Sequence, residues 1–178
     1  VLGVAIIAVA TGVSQTDWQW HSILTGMGGF LTAVSLWWMY VERASESVIN
    51  WALRGGRLAL LRSYIYGYSH LFVFMGIVAT GIGIQVAMET ASGQTLSAEA
   101  RTVLCGGIAI FLMGVTALQW ASPSCLPKGV IIARLSLALL ALGLIPLGAG
   151  LSPWGMVLVL SLALVALNNF DGIPLSTA

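Results

Sequence analysis

The chain is 178 residues long, 58% hydrophobic and 7% charged, with a formal net charge of +1. Soluble domains carry about 25% charged residues, so the composition excludes a water-soluble domain and points to a membrane protein. The near-neutral balance argues against nucleic acid as a partner. The seven basic residues matter by position instead, because in a membrane protein they set orientation.

The first apolar run covers about residues 1–14 and is shorter than the roughly 20 residues a full span needs. No basic stretch of the signal-peptide kind precedes it. The run is expected to be the remainder of a span whose start lies N-terminal to Val1. A second run, about 22–41, ends in "SLWWMYVERASES", Ser35 to Ser47. Two tryptophans and a tyrosine close this run, and Glu42 and Arg43 follow at once. Further runs cover about 64–86, 102–121, 130–149 and 153–169. Each must be helical, because a chain in lipid has to satisfy its own backbone. The expected fold is therefore all-α: a single polytopic transmembrane helix bundle over 1–178, with about six spans, the first truncated.

Local signals mark the ends. Ser97, with Glu99 just inside, reads as an N-cap with an acid at the positive end of the helix dipole. Ser152 before Pro153 reads as an N-cap with proline in the first turn. Pro146 predicts a kink near the end of the fifth run. The stretch 44–62 mixes Val48 and Trp51 with Arg54 and Arg57. It reads as a short interfacial helix broken at Gly55–Gly56, lying on the membrane surface. Cys105 and Cys125 fall one in a helix and one in a loop, too far apart for a bridge.

Six basic residues, Arg43, Arg54, Arg57, Arg62, Lys128 and Arg134, fall at one membrane side, and only Arg101 at the other. The positive-inside rule makes the first side cytoplasmic. Loops 42–62 and 122–130 and the C-terminus are then cytoplasmic, in a bacterial inner membrane. Arg54, Arg57, Arg62 and Arg134 are expected to serve topology and lipid head groups, with Arg134 snorkelling to the surface from the start of its span.

Ionisable groups inside spans are costly and are functional candidates by default. Here they are Glu42, His70 and Arg134. His70 lies about 9 Å along its span at 1.5 Å per residue, with Tyr66 one turn earlier on the same face. Glu42 ends the preceding span on the same side, with Trp38 one turn before it. A Glu42–His70 contact would raise the histidine pKa and could carry a proton. The alternative is a neutral His70 bonded to a neighbour on its own helix, with Glu42 hydrated at the interface. Trp38, Tyr40 and Tyr66 are supporting candidates, although aromatic belts explain most rim residues. The interior glycines, Gly76, Gly83, Gly107 and Gly114 among them, suit close helix packing.

No metal cluster, nucleophile–base pair, P-loop or HExxH pattern is seen, so no enzyme and no metal are expected. His21 and His70 sit at opposite membrane sides and cannot form a bis-histidine haem site. A tetrapyrrole on His70 alone is disfavoured. Bound lipid is the expected companion, without another cofactor.

Two stretches carry a family resemblance: "LWWMYVE", Leu36 to Glu42, and "YIYGYSHLFVFMGIVATGIG", Tyr64 to Gly83. With the basic connection between them, they resemble the bacterial low temperature requirement A (LtrA) family of polytopic membrane proteins. The chain departs from the family pattern at Val41 and Phe72. The resemblance implies that Trp38, Tyr40, Glu42, Tyr66 and His70 are family-marking positions, and that this chain is the C-terminal part of a longer protein. It implies no established molecular activity. The expected function is a non-catalytic membrane protein with a transport- or lipid-related role. The alternative is an accessory subunit of a larger respiratory or photosynthetic complex, packed against partner helices, lipids or pigments.

Overall fold

The computed structural model describes residues 20–41, 56–90, 94–122 and 127–172, together with Gly3 and Ile7. Five long helices occupy them: α1 (Trp20–Val41), α2 (Gly56–Glu89), α3 (Ala98–Ala121), α4 (Lys128–Leu147) and α5 (Pro153–Gly172). All five contain a stretch long and apolar enough to cross a membrane. Gly3 and Ile7 are helical; the rest of the expected first span lies outside the described residues.

The expected ends hold at most helices. The Ser97 side chain accepts a hydrogen bond from Ala100 N at 3.2 Å, capping α3, and Glu99 stands in its first turn. α5 begins at Pro153, with the Ser152 carbonyl accepting from Met156 N at 3.0 Å. Pro146 falls in the last turn of α4, and the chain at once tightens into a 3-10 turn, Gly148–Gly150. The start of α2 differs from expectation. The stretch 56–62 is the opening of α2 itself and not the end of a separate interfacial helix. Gly56 occupies the helix start, where glycine costs little. The remainder of the expected interfacial segment, including Arg54, lies outside the described residues.

Among the five described spans, α3 is the most buried and α4 the least. α3 packs antiparallel against α2 along one flank and α4 along the other, while α5 runs parallel to α1. Between α2 and α3, two pairs of glycines spaced seven residues apart face across the interface. A Cβ on Gly76 would lie 2.6 Å from Phe111 N, and one on Gly107 2.6 Å from Thr80 N. A Cβ on Gly83 would meet Leu104 Cα at 2.6 Å, and one on Gly114 would meet Val73 N at 2.9 Å. Burying apolar surface between helices gains little in lipid, so this backbone approach, with its dispersion contacts, is what holds the pair. Val73, Ile77, Leu104, Ile108 and Phe111 fill the seam and are buried.

Several hydroxyl side chains inside the spans are satisfied locally. Thr25, Ser69, Thr80 and Thr116 each donate to the carbonyl four residues earlier, at 2.6–2.9 Å. Such back-bonding lets a hydroxyl lie in a dry helix interface. Asn168 on α5 donates to the Ser35 carbonyl of α1 at 3.1 Å, tying those helices together.

The bundle thus has two ends. The basic end holds the close of α1, α3 and α5 and the start of α2 and α4, with Arg57, Arg62, Lys128 and Arg134. The far end holds the start of α1, α3 and α5 and the close of α2 and α4, with Glu89, Glu99 and Arg101.

Candidate functional site

At the basic end, the structure brings three of the expected residues together. His70 Nδ1 lies 2.8 Å from the Tyr66 carbonyl, one turn earlier on α2. A carbonyl only accepts, so Nδ1 carries the proton, and in the neutral ring Nε2 is the basic atom. Aromatic rings surround the imidazole. Tyr66, Tyr40 and Phe74 stand edge-on to it, with centroids 4.9, 6.0 and 6.1 Å away. Tyr40 reaches it from α1, because the close of α1 packs beside the early part of α2. Trp38 does not join this group: it is exposed, with its ring edge against Trp37 at 6.1 Å. Glu42 lies outside the described residues.

Arg134 corrects an expectation. It does not snorkel to a lipid surface; it is 0% exposed. Its Nε and Nη2 donate to Asp171 Oδ2 at 2.9 and 2.6 Å. Its Nη1 donates to Gln119 Oε1 at 2.7 Å. The arginine is on α4, the carboxylate on α5 and the amide on α3, so one guanidinium ties three helices together. A side chain roughly 9 Å from its helix start finds acceptors inside the bundle nearer than the surface. That removes any need to extend outward. Gln119 Nε2 is also buried and has no hydrogen-bond partner among the described residues. Sequence reading missed Asp171 and Gln119. The available signal was depth: both are polar residues close to the basic ends of otherwise apolar spans, at the level of Arg134.

Arg57 and Arg62, at the start of α2, lie nearer the surface. Arg57 is exposed. Arg62 is half-buried, with its guanidinium carbon 5.5 Å from the centroid of the Trp120 ring, within cation–π range.

The far end carries a vestibule of about 320 Å³. His21 and Thr25 on α1, Thr90 and Gln94 after α2, and Ser152 and Trp154 at the start of α5 contribute to its wall. The described lining residues carry hydroxyl, amide and ring groups and no carboxylate or ammonium group. His21 Nδ1 is buried without a hydrogen-bond partner among the described residues, and the ring lies against Trp20 at 3.6 Å. Below the vestibule, Thr32, Leu36, Ile77 and Ile84 are buried around a small cavity of about 10 Å³. No group of three or more metal-ligating side chains occurs among the described residues.

The family comparison agrees with the two quoted stretches and extends well beyond them. Residues 1–168 match the family described as bacterial low temperature requirement A protein (LtrA). The chain belongs to that family. No curated protein and no solved structure matches it.

Proposed function

We propose that this LtrA-family protein is a non-enzymatic carrier of the bacterial inner membrane, moving protons or a small uncharged polar solute coupled to protons. The observation that carries the reading is the contrast between the ends of one bundle. A polar vestibule opens at the far end, a packed apolar layer lies beneath it, and a buried ion pair closes the basic end. Buried ion pairs are at best weak stabilisers against apolar residues of similar volume. In a transmembrane bundle such a pair has a further use: it is a contact that can break and hydrate when the end opens.

In this reading the basic end is cytoplasmic, following the charge bias. Arg134, Asp171 and Gln119 form the inner closure, and separating α4 and α5 from α3 would open it. His70 Nε2 accepts a proton on the inner side, with Glu42, at the close of the preceding span on the same side, as the acid proposed to exchange it. The vestibule around His21 receives an uncharged solute bearing hydroxyl or amide groups. Membrane lipids are the standing partners, with Arg57 and Arg62 at head-group level.

Proteoliposomes holding a pH-sensitive dye test the proposal. An imposed pH gradient should collapse faster with the protein than without it, and His70→Phe should slow the collapse at least about tenfold, a barrier change of roughly 1.4 kcal/mol. A normal rate in His70→Phe would sink the relay. No protein-dependent flux of protons or of hydroxylated or amide solutes would remove the carrier reading.

The accessory-subunit reading draws on α4. This helix is the least buried span, and Ile132, Leu139 and Leu147 stand exposed along it. Gentle detergent purification separates the readings: a protein that isolates alone and colourless argues against the subunit.

A further inference from the structure

On the outer side of the α2–α3 pair runs a second cavity, a groove of about 630 Å³. Its lining is almost wholly apolar. α2 contributes Tyr64, Tyr68, Phe72 and Met75, and α3 contributes Ile110 and Met113 with Gly114 between the helices. Gly114, where the backbones of α2 and α3 meet closely, lies in the floor of this groove. From Leu61 to Met75 the groove follows α2 for about 21 Å at 1.5 Å per residue. That exceeds the roughly 15 Å hydrocarbon depth of one leaflet.

The two ends of this groove differ in charge. Towards the basic end, Trp120 follows Ala117 by one turn on the exposed face of α3, and Arg62 lies over its ring. Arg57 precedes the lining residue Leu61 by one turn on α2 and is exposed. Tyr64 and Tyr68 are each 66% exposed, and phenol hydroxyls favour the polar interface of a bilayer. The order along the groove is therefore cation, phenol, hydrocarbon. A phospholipid presents the matching order of phosphate, ester and acyl chain.

We propose that the α2–α3 groove is a specific site for one anionic glycerophospholipid of the leaflet at the basic end. The phosphate stands at Arg57 and Arg62. The ester region meets Tyr64 and Tyr68. One acyl chain lies over Gly114 along Phe72, Met75, Ile110 and Met113. The site deepens the lipid partnership proposed above and is independent of transport. It differs from a general annulus by its head-group preference.

The test uses the purified protein, stripped of lipid and offered phosphatidylglycerol and phosphatidylcholine with identical acyl chains in equal amounts. Native mass spectrometry should show one phosphatidylglycerol retained per chain, preferred by about fivefold or more per engaged basic residue. Arg57→Gln with Arg62→Gln should remove the preference while one lipid still binds. Ala117→Phe fills the groove and should remove tight retention of both lipids. Equal retention of the two lipids by the wild-type protein would overturn the site, while a general lipid partnership would stand. Unchanged preference in the double Arg→Gln variant would also overturn it. So would crosslinking of two copies through Met113→Cys, because the groove would then hold protein.

Discussion

Two arginines join α3 to α4, one at each end of the bundle, and they do so differently. At the far end, Arg101 of α3 reaches across to α4, where its Nε donates to the Ile145 carbonyl at 3.0 Å, and its Nη1 donates to the Leu96 carbonyl at 2.8 Å. Both acceptors are backbone. Ile145 lies in the last turn of α4, where carbonyls lack helical partners and the dipole favours a cation. Arg101 is half-buried, so water shares its charge. At the basic end, Arg134 is wholly buried and meets a carboxylate at 2.6 Å. The partners and the burial set the contrast: Arg101 stays half-buried on backbone carbonyls, whereas Arg134 is buried and its charge is met by the side chains of Asp171 and Gln119. Arg101 acts as a cap; Arg134 is a closure whose charge has to be balanced.

That difference sets an order of mutational effects. Breaking the closure from either side, as Arg134→Ala or Asp171→Ala, leaves a buried charge uncompensated. Each should lower unfolding stability by about 3–5 kcal/mol, read as loss of the monodisperse peak on heating in detergent. Arg134→Lys keeps the charge but loses the fork that spans Asp171 and Gln119. Loss of one charge-assisted bond predicts a drop of about 1.5–3 kcal/mol in the same measurement. Arg101→Ala should cost about 1 kcal/mol, a capping-scale effect. Arg101→Lys should cost less still, because an ammonium serves a helix C-terminus almost as well. Equal losses from Arg134→Lys and Arg101→Lys would erase the distinction between closure and cap.

The helices were legible because lipid demands long apolar runs, and those runs stop at residues with physical reasons to stop them. Ser97 caps α3, Pro153 opens α5, and glycine follows Pro146 at the close of α4. The start of α2 was hidden because Gly55–Gly56 and the nearby arginines suit an interface as well as a helix start. Part of the basic end was legible too. The four-residue step from Tyr66 to His70 sets them on one face, and the shared membrane side brings Tyr40 near. Trp38 follows a different face of α1 and points away. Arg134 was misread because its partners lie 15 and 37 residues away in sequence. Helix periodicity describes one helix at a time and cannot say which polar positions on separate helices meet. Matching the depths of Gln119, Arg134 and Asp171 would have suggested the cluster.

In the proposed carrier, the Arg134–Asp171 pair serves movement and not stability. The most direct test replaces both partners by apolar residues, Arg134→Met with Asp171→Leu, and measures folding and flux on the same preparation. Removing both charges together avoids the uncompensated charge of the single variants, so stability should stay within about 1–2 kcal/mol of wild type or rise. Proton flux in proteoliposomes should fall at least about tenfold, because the basic end would then be sealed by packing that water cannot replace. A double variant that is as stable as wild type and carries protons at the wild-type rate would contradict the account.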